Sequence, residues 1–121
     1  MDLNALIIDD DKRNIFALKT ALKSRGILSY GVCCAKEGLL LLRAPHTFNV
    51  VLLDMMMPEL DGYEFLKALK NDDHFDHPPI IAVTARAMIG DRQNCINAGA
   101  DGYVAKPVNI DVLIKEINSV I

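Results

Sequence analysis

Val50-Val51-Leu52-Leu53-Asp54 is a run of four apolar residues that stops on a carboxylate, and the same construction recurs along the chain. Leu6-Ile7-Ile8 stops at Asp9-Asp10-Asp11, Ile80-Ile81-Ala82-Val83 at Thr84, and Tyr103-Val104-Ala105 at Lys106-Pro107. Short apolar runs without alternation, set between helix-like stretches, read as parallel strands covered on both faces. Open parallel sheets bind their ligands at the carboxyl ends of the strands. The acid doublet, the single acid, the hydroxyl and the ammonium are therefore expected to meet at one edge of one sheet.

Working outward from these ends, strands are predicted at Leu3–Ile8, Ile27–Val32, Val50–Leu53, Ile80–Val83 and Gly102–Ala105. Between them, apolar residues recur at three- and four-residue steps. Ile15, Leu18 and Leu22 mark a first helix stopped by Gly26, and Phe65, Leu66 and Leu69 mark a third. A fourth is expected over Met88–Ala98 with its stop at Gly99, and a fifth over Ile110, Leu113, Ile114, Ile117 and Ile121. Asp61-Gly62 and Asp101-Gly102 are turn signals, and Pro78-Pro79 blocks a helix ahead of the fourth strand. The second helix carries Leu39 to Leu42, and one buried stripe cannot take all four, so Leu40 is expected to point outward. Five strands alternating with five helices predict an α/β doubly wound domain with right-handed crossovers. The pattern does not choose between the two common strand orders, but the length suits the flavodoxin-like order 2-1-3-4-5.

At 121 residues the chain has the size of one domain, spanning 1–121, without linker, repeat or low-complexity tract. Its 13 basic and 16 acidic residues give a net charge of −3 and no basic stripe with interleaved aromatics, so direct nucleic-acid binding is not expected. Met1-Asp2-Leu3-Asn4 leads straight into the first strand without a signal-peptide pattern, and no apolar stretch approaches the roughly 20 residues that span a bilayer. Cys33, Cys34 and Cys95 have neither metal spacing nor a disulfide framework. These features predict a cytoplasmic protein with reduced thiols and no membrane partner.

Carboxylates from Asp9, Asp10 and Asp54, brought close together, repel unless compensated. A hard divalent cation resolves this, and Mg²⁺ typically takes one or two carboxylates plus waters and phosphate oxygens. Lys106 supplies a mobile cation and Thr84 a hydroxyl donor. Such parts suit phosphoryl transfer, which needs positioning and charge neutralisation. One carboxylate then serves as nucleophile, forming an aspartyl phosphate, and the central Asp54 is the natural choice. Each residue also has a plain structural reading. An Asp after a strand commonly caps a helix, as expected for Asp11, and a Lys before Pro is commonly a solvated loop residue. Four such signals at the ends of separate strands argue for the site.

Over its full length the chain resembles the response-regulator receiver domain. The resemblance is carried by Asp9-Asp10, by Asp54 within Leu53-Asp54-Met55-Met56-Met57-Pro58-Glu59-Leu60-Asp61-Gly62, by Thr84-Ala85, by Ala98-Gly99-Ala100-Asp101-Gly102-Tyr103, and by Lys106-Pro107. It implies that Asp54 accepts a phosphoryl group from a histidine kinase or histidine phosphotransfer domain. It implies Mg²⁺, with Mn²⁺ able to replace it, on Asp10 and Asp54 directly, on Asp9 chiefly through water, and on the Met56 carbonyl. Thr84 and Lys106 would contact the phosphoryl oxygens, with a cis Lys106–Pro107 peptide. Thr84 and Tyr103 would act as switch residues, remodelling the face of helix 4, strand 5 and helix 5 toward an output protein that the sequence does not name. Met56 and Arg86, two residues after Asp54 and Thr84, would tune phosphate lifetime. A monomer or weak dimer is expected. The run Asp11 to Leu18 resembles receivers of hybrid histidine kinases.

As a stand-alone domain it would turn over no external substrate, catalysing only its own phosphorylation and dephosphorylation. A haloacid-dehalogenase-like phosphatase would need a second Asp two residues after the nucleophile, where Met56 stands. A flavodoxin-like electron carrier would need a Ser/Thr/Gly-rich phosphate loop after the first strand, where three carboxylates would repel a cofactor phosphate.

Overall fold

The computed structural model describes residues 3–58, 60–71, 77–85 and 89–121. In chain order the elements are β1 (Asn4–Ile8), α1 (Lys12–Ser24), β2 (Leu28–Val32), α2 (Ala35–Arg43), β3 (Val50–Asp54), α3 (Gly62–Lys70), β4 (Ile80–Thr84), α4 (Asp91–Ala98), β5 (Gly102–Ala105) and α5 (Ile110–Val120). The sheet is wholly parallel in the order β2-β1-β3-β4-β5. That is the doubly wound architecture expected, and it selects the flavodoxin-like order.

The unalternating runs are explained by helices on both faces. Leu6, Ile8, Val51, Leu53, Ile80 and Ala82 face α2, α3 and α4. Their neighbours Ala5, Ile7, Val50, Leu52, Ile81 and Val83 pack under α1 and α5. Successive strand residues point to opposite faces, so a strand covered twice must be apolar throughout. Leu39 and Leu42 are buried, Leu41 is half-buried and Leu40 is exposed, as a single buried stripe requires.

Strands β3 and β4 run one residue further than expected, because their polar ends still pair. Asp54 lies opposite Val83 and Thr84 opposite Ala105, and the Lys106 amide donates to the Thr84 carbonyl at 2.8 Å. The fourth helix starts later than Met88. Residues 86–88, including Arg86, lie outside the described residues, and Gly90 holds a left-handed φ of 88° that precludes a continuous helix up to Asp91. Gly26 and Gly99 follow α1 and α4 with φ of 77° and 120°, the helix stops anticipated. Asp11 caps α1, accepting from the Arg13 amide at 2.9 Å.

Asp61-Gly62 is a helix start rather than a free turn. Asp61 accepts from the Glu64 amide at 2.9 Å, and buried Gly62 lies directly against Met55. A Cβ at residue 62 would stand 2.5 Å from Met55 Sδ and 2.7 Å from its Cα. Gly62→Ala gains about 1 kcal/mol of helix propensity but forces backbone apart. A net loss of about 1–2 kcal/mol is expected, read as a lower urea midpoint at unchanged slope. A midpoint at or above that of the parent protein contradicts the close packing.

Candidate functional site

Parallel register places the chemistry. Ile8 of β1 is opposite Leu53 of β3, so the chain leaving β1 at Asp9 emerges beside Asp54. Thr84 ends β4, the next strand along, and Lys106 directly follows β5 beyond it. One carboxylate oxygen from each of Asp9, Asp10 and Asp54 lies within 4.8 Å of the others, with Asp9 and Asp54 buried and Asp10 exposed. Lys106 Nζ stands 3.2 Å from Asp9 Oδ2 and 3.7 Å from Asp54 Oδ2. Asp9, Asp10, Asp54 and Lys106 therefore converge, with Thr84 at the end of the adjacent strand, and Lys106 is an ion-pair partner rather than a solvated loop residue. Its peptide bond to Pro107 is cis.

The three acids have distinct surroundings. Asp9 Oδ1 accepts the Asp11 amide at 2.8 Å while Oδ2 takes Lys106, so both its oxygens are engaged. Asp54 Oδ1 accepts the Met56 amide at 3.0 Å. Burial pushes the Asp54 carboxyl up to about 6; the Met56 amide and Lys106 oppose this, and the charges of Asp9 and Asp10 reinforce it. One ammonium against three ionised carboxylates leaves two negative charges in a small volume. That excess, with hard oxygen donors only, fits a divalent cation of the Mg²⁺ or Mn²⁺ kind.

Thr84 is buried at the end of β4. The Met56 side chain is exposed beside the cluster. Tyr103 stands apart from the acids: its hydroxyl donates to Asp91 Oδ2 at 2.7 Å, and its amide reaches Glu116 Oε1 at 3.4 Å. The Arg92 guanidinium lies 5.9 Å from the ring centroid. Burial and then the Asp91 carboxylate push the phenol up to about 12, so it remains a donor at neutral pH. Asp91 and Glu116 were not singled out from the sequence. An acid in the first turn of a helix reads as an ordinary dipole partner, and nothing local says that Asp91 is buried. Asp101, read as a turn residue, also ties the start of β4 by accepting from the Ile80 amide at 2.9 Å.

Cys33, Cys34 and Cys95 are free thiols. Among the described residues, no helix is long and apolar enough to cross a membrane.

Residues 5–118 match the family model of the response regulator receiver domain. The polar-differentiation response regulator DivK of Brucella anthropi is 33% identical over 121 residues, covering 98% of this chain and 96% of that protein. A probable histidine kinase 6 of Oryza sativa subsp. japonica is 30% identical over 136 residues, and the match spans 98% of this chain but only 14% of the kinase. Among solved structures, the receiver domain of sensor histidine kinase PA1611 from Pseudomonas aeruginosa PAO1, described with magnesium coordinated in its active-site cleft, superposes with a TM-score of 0.82. It is 28% identical, and the match covers 99% of this chain and 98% of that one. With the strand order, the converging acids and the matched span in agreement, the chain belongs to the response regulator receiver domains of two-component signalling.

Proposed function

We propose that this domain accepts a phosphoryl group on Asp54 from a phospho-histidine of a histidine kinase or histidine phosphotransfer domain. The observation that carries this reading is the placement of Asp54: buried, central, and within reach of Lys106 and two further carboxylates. An Asp54 carboxylate oxygen attacks phosphorus, the P–N bond breaks, and the imidazole leaves with the bonding pair. Asp10, Asp54 and the Met56 carbonyl would hold Mg²⁺, or Mn²⁺ in its place, with Asp9 acting through water because its own oxygens are already engaged. Bound there, the cation neutralises charge gathering on the transferring group. Lys106 supplies a second positive charge to the phosphoryl oxygens, and the Thr84 hydroxyl donates to them. A cleft of about 570 Å³ with Lys106, Pro107, Asn14 and Ala21 in its walls gives the donor domain an approach beside the site.

Phosphorylation then biases Thr84 and Tyr103, and with them the face of α4, β5 and α5, toward an output partner. As a stand-alone domain it acts by binding and turns over no external substrate. The match to a 14% segment of a much longer histidine kinase favours a second reading, in which the receiver relays phosphate inside a hybrid kinase.

The test is incubation with phosphoramidate and Mg²⁺, followed by peptide mapping. The label is expected on Asp54, and a label on any other residue overturns the assignment. Lys106→Ala is expected to retain labelling but to lose at least half of the phosphorylation-induced NMR shift at Tyr103, because the ammonium reports the arrival of the phosphate. A full shift in that variant would reduce Lys106 to a structural role.

A further inference from the structure

The outer flank of α1 and the free edge of β2 form a second surface, on a different stripe of α1 from the cleft beside Lys106. Strand β2 ends the sheet. Its Leu28 amide donates to the Leu3 carbonyl at 3.0 Å, and its Val32 carbonyl accepts from the Asp9 amide at 3.2 Å. Alternation along a parallel ladder therefore turns the backbone N–H and C=O of Ser29 and Gly31 outward, unpaired by the sheet. Three large side chains are exposed nearby: Phe16 at 72%, Leu28 at 63% and Tyr30 at 54%. A groove of about 380 Å³ runs between the two elements, lined by Phe16, Lys19, Thr20, Lys23, Leu28 and Ser29 among others.

The charge of this region is one-sided. Residues 12–36 hold six of the 13 basic residues (Lys12, Arg13, Lys19, Lys23, Arg25 and Lys36) and none of the 16 acidic ones. Arg13 is paired with Asp11 and Arg25 with Asp111, while Lys19 and Lys23, on the groove wall, form no ion pair among the described residues. Charged residues often guard sheet edges against pairing, but they do so on the edge strand itself. Here β2 reads Leu-Ser-Tyr-Gly-Val, without charge or proline, and the lysines line the helix beside it.

We infer that the α1–β2 groove docks an extended, acidic protein segment carrying alternate apolar side chains. The segment adds a strand to β2 through the outward groups of Ser29 and Gly31, lays apolar side chains beside Leu28 and Tyr30 on the face of the sheet away from α1, and sets carboxylates against Lys19 and Lys23 on the α1 face. The unpaired backbone edge selects a peptide over a nucleic acid, which offers no matching ladder of amides and carbonyls. This surface uses none of the phosphoacceptor residues, so its fate and that of the Asp54 assignment are separable.

The probe is a synthetic octapeptide alternating Glu with Val and Leu, titrated into the isotopically labelled full chain. Its Lys-for-Glu counterpart and an eight-nucleotide single strand serve as comparisons. Amide shifts are expected for the acidic peptide alone, confined to Phe16–Lys23 and Ile27–Gly31, and weakening with salt. The double variant Lys19→Glu/Lys23→Glu is expected to bind at least tenfold more weakly. Ser29→Pro, which removes an outward N–H without touching the β1 ladder, is expected to do the same; its folding is checked by the unchanged amide spectrum of β3 and β4. Absent shifts, shifts outside the groove, undiminished binding by the lysine double variant, equal response to the oligonucleotide, or concentration-dependent shifts from a second copy without peptide each overturn the proposal.

Discussion

Asp54→Asn is expected to reduce phosphoramidate labelling to background, with Mg²⁺ present and the fold intact. The amide keeps an oxygen to accept the Met56 N–H, which in the parent protein donates to Asp54 Oδ1 at 3.0 Å, so the loop after β3 has no reason to move. It loses the anionic oxygen, and a carboxamide is a poor nucleophile toward phosphorus. The neighbouring acids are poor substitutes for different reasons. Asp9 is buried and commits one oxygen to the Asp11 amide and the other to Lys106. Asp10 is exposed, where its charge is better solvated, and Lys106 pairs with Asp9 and Asp54 rather than with it. Residual label on Asp10 in the variant, at a level comparable to the parent protein, would show that proximity alone selects the acceptor. Removal of Mg²⁺ with a chelator is expected to suppress labelling of the parent protein as strongly.

The same substitution is expected to stabilise the metal-free fold at neutral pH by about 2–3 kcal/mol. The Asp54 carboxyl rises from an unfolded value of 3.8 to about 6 in the fold, chiefly through burial. A raised folded value means that the native state favours the neutral acid. The favourable contribution is complete below pH 3.8, shrinks as pH climbs through about 6, and is then gone. Above that window the parent protein carries a buried anion beside two others, whereas the Asn variant does not. Urea unfolding in chelator should give matching stabilities near pH 4 and a gap in favour of the variant at pH 7. Equal stabilities at both values would mean that Lys106 alone offsets the repulsion. Saturating Mg²⁺ should narrow the gap by binding only the native parent site.

Much of this was readable because parallel sheets are covered on both faces. Unbroken runs such as Val50 to Leu53 mark the strands, and whatever polar residue follows must lie at the shared carboxyl edge. The gathering of Asp9, Asp10, Asp54, Thr84 and Lys106 follows from that rule with no knowledge of side-chain geometry. Helix boundaries were less legible. A fourth helix is expected over Met88–Ala98, but the left-handed Gly90 starts it at Asp91. Gly62 looked like turn chemistry because a sequence does not show that Met55 lies against it.

Local pattern therefore determined the strands, the doubly wound class and the gathering of acids and Lys106 at one sheet edge. It could do so because periodicity reports which faces are buried, and burial is what makes a residue apolar. Tertiary structure decided the rest: the order β2-β1-β3-β4-β5, the burial of Asp9 against the exposure of Asp10, the Asp91–Tyr103 hydrogen bond, and the open basic edge at β2. Those properties join residues as far apart as Asp9 and Lys106. They depend on strand register and packing, which fix distances between segments that share no local pattern.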